Sequence, residues 1–501
     1  MSVHRLAKNA LFSVAQVVFS ALVLFEFYRL LTRHLGVEEI GLWSLVMAST
    51  AVARLSEFGL GGGVVKFVAG DIGTGEHRLA ARTVAMAVFM VLPIVGVACI
   101  ALYPVIESAL VHAVPESAMP AARALLPYAL AALVAATIGN VFLGALDGCQ
   151  RSDLRAVVQV GAALVQLGAA YVLVPTHGLV GLGPVQLIQA GCLLLGALVL
   201  TVIQLRQPIS AWFGWDRKRM RELIRYGGGI QVAAIGQLLF EPTTKALLTM
   251  FGGLALTGYY EMANRMMLQF RAVIVSAYNT LVPYVAGRMG QTPTDAGEIR
   301  RIYLGAYRLL VVLAAPYYGL IGAALPILLT LWLGRFEPQF LAVAVLCWLG
   351  WMFNTMVGPA YFLYLAIGRL RWTIWTQVAI GSLNVVLAVI GGWLWGGFGV
   401  LAGTTLALAA GSYVVVVAFH MEYRVAAREL LPRQSAALVM VCLFGMALVY
   451  GLAYSWRDTE DWMVVLASGV LLLAVMIVVL VWRHPQWTAL LQLFPQWRRV
   501  S

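Results

Sequence analysis

Charge is what this sequence has least of. Only 11% of its 501 residues are Asp, Glu, Lys or Arg, 61% are hydrophobic, and the mean hydropathy is +0.87. Soluble globular domains carry about 25% charged residues, so a soluble enzyme or binding module is excluded. Long polar connections are missing too. No segment between apolar stretches is long enough to fold on its own, which speaks against an outer catalytic domain. The five cysteines (Cys99, Cys149, Cys192, Cys347 and Cys442) lie in or beside apolar stretches. No two have metal-ligand spacing, and they read as packing residues. Nor do His77, His112, His177, His420 and His484 show such spacing. The glycine run Gly59–Gly63 lacks the GxxxxGK[ST] pattern of a phosphate loop and sits inside an apolar stretch, so it reads as helix flexibility or close packing.

What is there is a succession of about fourteen apolar stretches, each long enough to cross a hydrocarbon core, which takes about 20 helical residues. They run over 10–35, 42–69, 81–106, 121–147, 155–175, 178–205, 227–251, 256–287, 304–332, 338–367, 372–395, 398–421, 435–454 and 462–482. The fold class is an all-α polytopic membrane protein. The first stretch is too long for a signal-peptide core and is not followed by a cleavage pattern, so it reads as a retained span. The second and eighth are long and interrupted by glycine or charge, which predicts tilt or bending.

The net charge of +12 reads as loop topology and not as nucleic-acid binding. With the N-terminus inside, only Arg33, Arg123, Arg335 and Arg457 lie outside, and Arg29, Arg54, Lys245, Arg265 and Arg271 lie within spans. The other 25 of the 34 Lys and Arg are then cytoplasmic, which places both termini in the cytoplasm. The longest inner connection holds WDRKRMREL, either a contact for anionic lipid or topology-setting charge. Asp147, Arg151, Asp153 and Arg155 make an inner junction that reads as a clamp between helices. The tail beyond His484, with Trp487, Leu490, Leu491, Phe494 and Trp497 beside Arg498 and Arg499, suits a short interfacial segment.

The chain repeats itself. Gly36, Gly41, Trp43 and Arg54 recur as Gly253, Gly258, Tyr260 and Arg271 at an offset of 217. Gln159 recurs as Gln377, and GLVG from Gly178 resembles GVLAG from Gly399. Six spans form one copy, so both copies enter the membrane from the same side, a parallel repeat. The expected organisation is a six-helix lobe over 1–205, a linker over 206–226, a second lobe over 227–425, two additional helices over 426–484 and an inner tail over 485–501. In transporters built this way the substrate site lies between the halves, and rocking alternates access.

A charge near the bilayer centre costs at least about 2.5–3.5 kcal/mol on insertion scales, so intramembrane ions face a bundle interior or a watery cavity. Glu26 and Arg29, and Arg54 and Glu57, stand three residues apart, on one helix face each. Arg29 either contacts an anionic head group or snorkels to the interface. Arg54 is too deep to snorkel easily and either lines a cavity or forms a structural pair. Glu241 and Lys245 flank Pro242, which suits either a moving gate or a static kink. Glu261 is followed by Arg265, and their counterparts in the first copy are Ser44 and Ala48. Arg271 has no acid three or four residues away and matches Arg54, which makes it the best candidate for an anion ligand. Glu26, Glu57, Glu241 and Glu261 either pair with these bases or bind a coupling proton or sodium ion.

Several stretches carry a resemblance. KNALFSVAQ, LTRHLGVEEIGLWSLV and EFGLGGGVVKFVAGD resemble the start of oligosaccharide flippases of the multidrug/oligosaccharidyl-lipid/polysaccharide exporter superfamily. FLGALDGCQRSDLRAVVQVGAALVQL, LIRYGGGIQ and GGLALTGYYEMANRM resemble later parts of the same family. The resemblance spans about residues 8–425 and is diffuse. It implies two six-helix lobes around a central cavity, and movement of an undecaprenyl-pyrophosphate-linked glycan from the inner to the outer leaflet of the bacterial cytoplasmic membrane. A last pair of helices occurs in some members, the lipid II flippases among them. In those, arginines on the first, second and eighth spans hold the pyrophosphate, and Arg29, Arg54 and Arg271 stand at similar places. Lys245 and Arg265 are further cations for such a cavity.

The expected function is therefore a lipid-linked oligosaccharide flippase serving surface polysaccharide synthesis. It is not expected to be an enzyme and needs no cofactor beyond a possible Na+ or H+ coupling ion. Its expected partners are the glycan lipid, membrane lipids and polysaccharide polymerase machinery, with no nucleic acid. The alternatives are a drug or cation antiporter of the same fold and a lipid II flippase. A glycan polymerase or ligase would need an outer loop and a catalytic constellation that the sequence does not display.

Overall fold

The computed structural model describes residues 3–51, 60–225, 240–289, 296–367, 369–430, 433–456, 459 and 461–484. Every regular element among them is helical. In chain order the long helices are α1 (Val3–His34), α2 (Val37–Ser49), α3 (Leu60–Gly73), α4 (His77–Ala113), α5 (Met119–Gly148), α6 (Ser152–His177), α7 (Leu182–Leu205), α8 (Glu241–Met289), α9 (Ala296–Leu333), α10 (Pro338–Met356), α11 (Gly358–Ala366), α12 (Leu370–Tyr423), α13 (Arg433–Trp456) and α14 (Trp462–Trp482).

Eight helical runs among the described residues are long and apolar enough to cross a membrane. Two of them, Ser152–Leu205 with 54 residues and Arg371–Tyr423 with 53, have the length of two crossings. Each is broken in the middle. The first breaks at the 3₁₀ turn Gly178–Gly181, the second at Trp395 and Gly396. Helix α8 is likewise two helices joined at Gly253. The chain is an all-α, multi-pass membrane protein. Of the second span, 42–69, for which tilt or bending is expected, residues 52–59 lie outside the described residues.

The backbone carries the repeat in its dihedrals. Gly36 has φ 82° and ψ 172°; Gly253 has φ 80° and ψ 175°. That region is open essentially to glycine alone. Gly178 (φ 57°, ψ −141°) matches Gly396 (φ 61°, ψ −146°). Left-handed Arg206 ends α7 as left-handed Arg424 ends α12. The last two pairs stand at an offset of 218. They correct the sequence alignment, which set Gly178 against Gly399. In GGFG several glycines compete for the match, and only the positive φ identifies Gly396. The clamps at the helix ends repeat too. Arg151 donates to Gln204 Oε1 at 3.0 Å, and Arg369 pairs with Glu422, both 218 residues on.

The chain divides into two compact units. One comprises Ala15–Met262 and Ile380–Thr404. Within it α5 packs on α7 and α3, and α6 on α7. Close approach depends on small residues, because lipid tails supply no hydrophobic drive between helices. A Cβ on Gly139 would stand 2.4 Å from Leu193, and one on Gly183 2.7 Å from Tyr128. The two arms of α12 cross at Gly391, Gly399 and Gly403, where a Cβ on Gly399 would meet the Gly391 carbonyl oxygen at 1.9 Å. Apolar side chains such as Val97 and Ile100 point outward, the arrangement that lipid favours. Arg219, from the connection after α7, pairs with Asp71 at the end of α3 (2.5 Å). Its guanidinium also lies 5.0 Å from the centre of the Phe67 ring. At least this residue of WDRKRMREL is pinned to the bundle and does more than set topology.

The other unit comprises Met1–Val14, Ala263–Ala379 and Thr405–Ser501. Its core is aromatic at one end, where Tyr303, Tyr307, Tyr364, Phe419 and Tyr423 pack together. Helices α13 and α14 form a second cluster around Cys442, Val449, Leu466 and Leu473. Gly319 receives Cys442 so closely that a Cβ would stand 2.7 Å from the cysteine Cβ.

Candidate functional site

The sequence-selected charges fall into separate places. Arg271 belongs to the unit that holds α9 and α10. Its Nε donates to Asn354 Oδ1 at 3.0 Å, and its guanidinium carbon stands 5.2 Å from the centre of the Trp351 ring. It forms no ion pair with any described residue, and these two contacts leave the Nη nitrogens uncommitted. The scaffold explains why the guanidinium is held. Ser412 donates its hydroxyl to Leu408 O at 2.5 Å, so toward Asn354 it can only accept, and Asn354 Nδ2 donates to it at 2.7 Å. That fixes the amide with Oδ1 toward Arg271. Trp351 is fixed in turn by its Nε1–H, which donates to Asn264 Oδ1 at 2.7 Å. The neighbouring wall is tied by Tyr317, whose hydroxyl donates to Phe270 O at 2.9 Å, and by the Tyr318–Thr355 hydroxyl pair at 2.7 Å.

Lys245 and Glu261 belong to the other unit, one on each side of the Gly253 break. Lys245 Nζ donates to Glu241 Oε1 at 2.8 Å and to Glu261 Oε2 at 2.6 Å. Glu261 also accepts from Tyr28 Oη at 2.8 Å, through Oε1, and from Ser44 Oγ at 3.2 Å, through Oε2. Tyr28, Ser44, Lys245 and Glu261 are each only 1% exposed. Pro242 stands in the first turn of α8, beside Glu241. The cluster rests on a polar layer in which Thr244, Asn384 and Thr404 hydrogen-bond one another.

Arg29 stands 3.6 Å from Glu26, the helical neighbour that the sequence assigns it, and both side chains are about a third exposed. Glu26 also accepts from Tyr171 Oη at 2.7 Å. Arg265 is half-buried, one turn beyond Glu261. Arg54 and Glu57 lie outside the described residues. The junction between α5 and α6 forms the expected clamp, with Arg155 paired to Asp147 and Arg151 to Asp153.

Sequence reasoning missed the neutral partners. Asn354 and Trp351 are separated from Arg271 by some eighty residues and share no motif with it. Tyr28 carried a usable signal, because it stands 217 residues before Lys245, as Ser44 stands before Glu261. A search of curated protein sequences finds no match. The family described as "Polysaccharide biosynthesis protein" matches residues 6–289. Among solved structures, the lipid II flippase MurJ in an inward closed conformation is similar with a TM-score of 0.71 at 12% identity, over 94% of this chain and 99% of that one. An inward-facing multidrug-resistance MATE family transporter of the MOP superfamily has a TM-score of 0.67 at 16% identity, over 82% and 98%. A Vibrio cholerae MATE transporter, VcmN, in mutant form has 0.59 at 16%, over 85% and 99%. With a family match over more than half its length, the chain belongs to the polysaccharide biosynthesis protein family, and its helical fold is the one that these transporters share.

Proposed function

We propose that this protein is a flippase that moves an undecaprenyl-pyrophosphate-linked oligosaccharide from the inner to the outer leaflet by alternating access. It would act in the bacterial cytoplasmic membrane, with both termini inside, to supply surface polysaccharide synthesis. The observation that carries the reading is Arg271, a cation without an ion pair among the described residues, oriented by Asn354 and Trp351. A guanidinium binds phosphate oxygens through two parallel donors, and uncommitted Nη nitrogens suit a pyrophosphate. Arg265, in the same unit as Arg271, is the further cation proposed for that ligand. Lys245 is spent on two carboxylates and is left out of the set. The glycan lipid and membrane lipids are the partners, with polymerase machinery receiving the product. Transport in this reading is coupled to H+ or Na+ and involves no covalent chemistry.

The structural neighbours suggest two other cargoes, lipid II and drugs. A drug or cation antiporter would favour a carboxylate without a cation, and Glu26, Glu241 and Glu261 each contact a base. The test is glycan export in cells, with flipping measured in vesicles. Arg271→Ala is expected to abolish export while the protein remains in the membrane at normal level. Full export by that variant sinks the site assignment. Uptake of a cationic dye, or flipping of lipid II in preference to the oligosaccharide lipid, replaces the cargo.

A further inference from the structure

Four buried polar residues come from corresponding places in the two copies of the repeat. Tyr28 and Ser44 belong to the first copy; Lys245 and Glu261 are their equivalents, 217 residues on. They meet at one carboxylate. Beside them Gly41 faces Gly258, its own equivalent. A Cβ on Gly41 would stand 2.0 Å from Leu254 O and 2.9 Å from Gly258 N, and one on Gly258 would stand 2.1 Å from Val37 O. Helix α2 and the second arm of α8 are therefore in backbone contact along a seam where the repeats meet. All these residues lie within one compact unit.

The chemistry of the seam is unusual for a contact meant to be permanent. Moving two ions out of water costs several kcal/mol per ion, and well-packed apolar residues often do as well or better. An apolar seam in a bilayer gains nothing when water enters it. An ion pair behaves differently. Closed, it is held by its partners and by the Tyr28 and Ser44 hydroxyls. Open to water, both ions are solvated and the desolvation cost is returned. Such a contact supports two states of similar energy, the best-attested use of buried ions.

We infer that Tyr28, Ser44, Lys245 and Glu261 form a latch that holds the repeats together near the outer ends of α1, α2 and the two arms of α8, and that its release opens the outward path. The inference rests on the alternating-access reading and its orientation. Glu261 is the centre of the latch, accepting from three residues on three helical segments. Lys245 holds it electrostatically, Tyr28 and Ser44 tie it to the first copy, and the glycine pair allows the approach.

The test is a distance measurement on the full chain in lipid nanodiscs. Spin labels go on Glu38→Cys and Met250→Cys, both at exposed positions, with the five native cysteines replaced. The parent protein is expected to show a dominant short distance. Glu261→Gln, which leaves Lys245 with Glu241 alone and takes the charge from the centre of the latch, is expected to raise a longer-distance population about tenfold. Tyr28→Phe removes one hydroxyl and keeps the ion pair; a smaller rise is expected, of about threefold for one hydrogen bond. The double replacement Lys245→Met with Glu261→Leu is expected to keep the short distance alone and to lose export. An unchanged distribution in both Glu261→Gln and Tyr28→Phe overturns the latch. The double replacement also overturns it if it populates the longer distance. These outcomes separate from the transport reading. If distances respond while no variant, Arg271→Ala included, affects glycan export, the cargo is wrong and the latch stands. If Arg271→Ala stops export while distances never move, the latch falls alone.

Discussion

At the scale of single residues, the question is what keeps Arg271 available. A buried arginine beside a carboxylate would be quenched. Here its Nε meets an amide, which accepts a hydrogen bond without carrying charge. Asn354→Asp changes little in shape and puts an anion on the guanidinium. We expect export to fall at least tenfold, because the added ion pair competes with the ligand phosphate. Asn354→Ala removes the orientation but not the charge, and should cost less. Equal losses in the two variants, measured as glycan export at matched protein levels, would mean that the amide does no more than pack. Arg271 itself was legible in the sequence, since the repeat sets it against Arg54 and no acid lies one turn away. Its neighbours were not. Asn354 and Trp351 are ordinary residues on another helix, and no periodicity connects α8 with α10.

At the scale of elements, the spans were legible because lipid enforces them. A helix must satisfy its own backbone, and its outward face must be apolar. The breaks were harder to read. Glycine is common in these helices for packing as well as for turning, so a glycine-rich run does not reveal which member turns the chain. Gly253 turns the chain, with φ 80° and no neighbour near its missing Cβ, whereas Gly258 packs, in an ordinary helix against Val37. The two uses predict different failures. Gly253→Ala should destabilise through backbone strain, about 1–3 kcal/mol, read as a lower thermal midpoint in detergent. Gly258→Ala has no such strain, but its methyl meets a backbone carbonyl at the seam. It should shift the spin-label distance outward, with a smaller effect on the thermal midpoint. A loss confined to stability in both variants would show that the seam tolerates the extra methyl.

At the scale of the whole molecule, the repeat is the organising fact. It was readable from a handful of glycines and arginines, and the dihedrals extend it to helix ends that the sequence did not mark, such as Arg206 and Arg424. The clamps at the helix ends show how far the copies have drifted. Arg151 meets a glutamine and Arg369 a glutamate. Both arginines are substantially exposed, so the added charge is worth little, about 1 kcal/mol at most. Glu422→Gln, which gives the second copy the glutamine of the first, should therefore leave the thermal midpoint nearly unchanged, and Arg369→Ala should lower it further. A larger effect from Glu422→Gln would give the ion pair a role that its partner in the first copy lacks.

The contact of Gly41 with Gly258 has one more consequence. In two separate identical chains related by a two-fold axis, a residue on that axis faces another copy of itself. Whatever sits there must be its own partner. Glycine can be, and so can a hydroxyl, which both donates and accepts. A carboxylate can be only by sharing a proton with its copy, because two charged carboxylates repel. Joining two copies into one polypeptide removes that restriction, since each side can then change alone. Glu261 opposite Ser44, with Lys245 in the place of Tyr28, is an arrangement open to a fused pair and closed to a homodimer with the same axis.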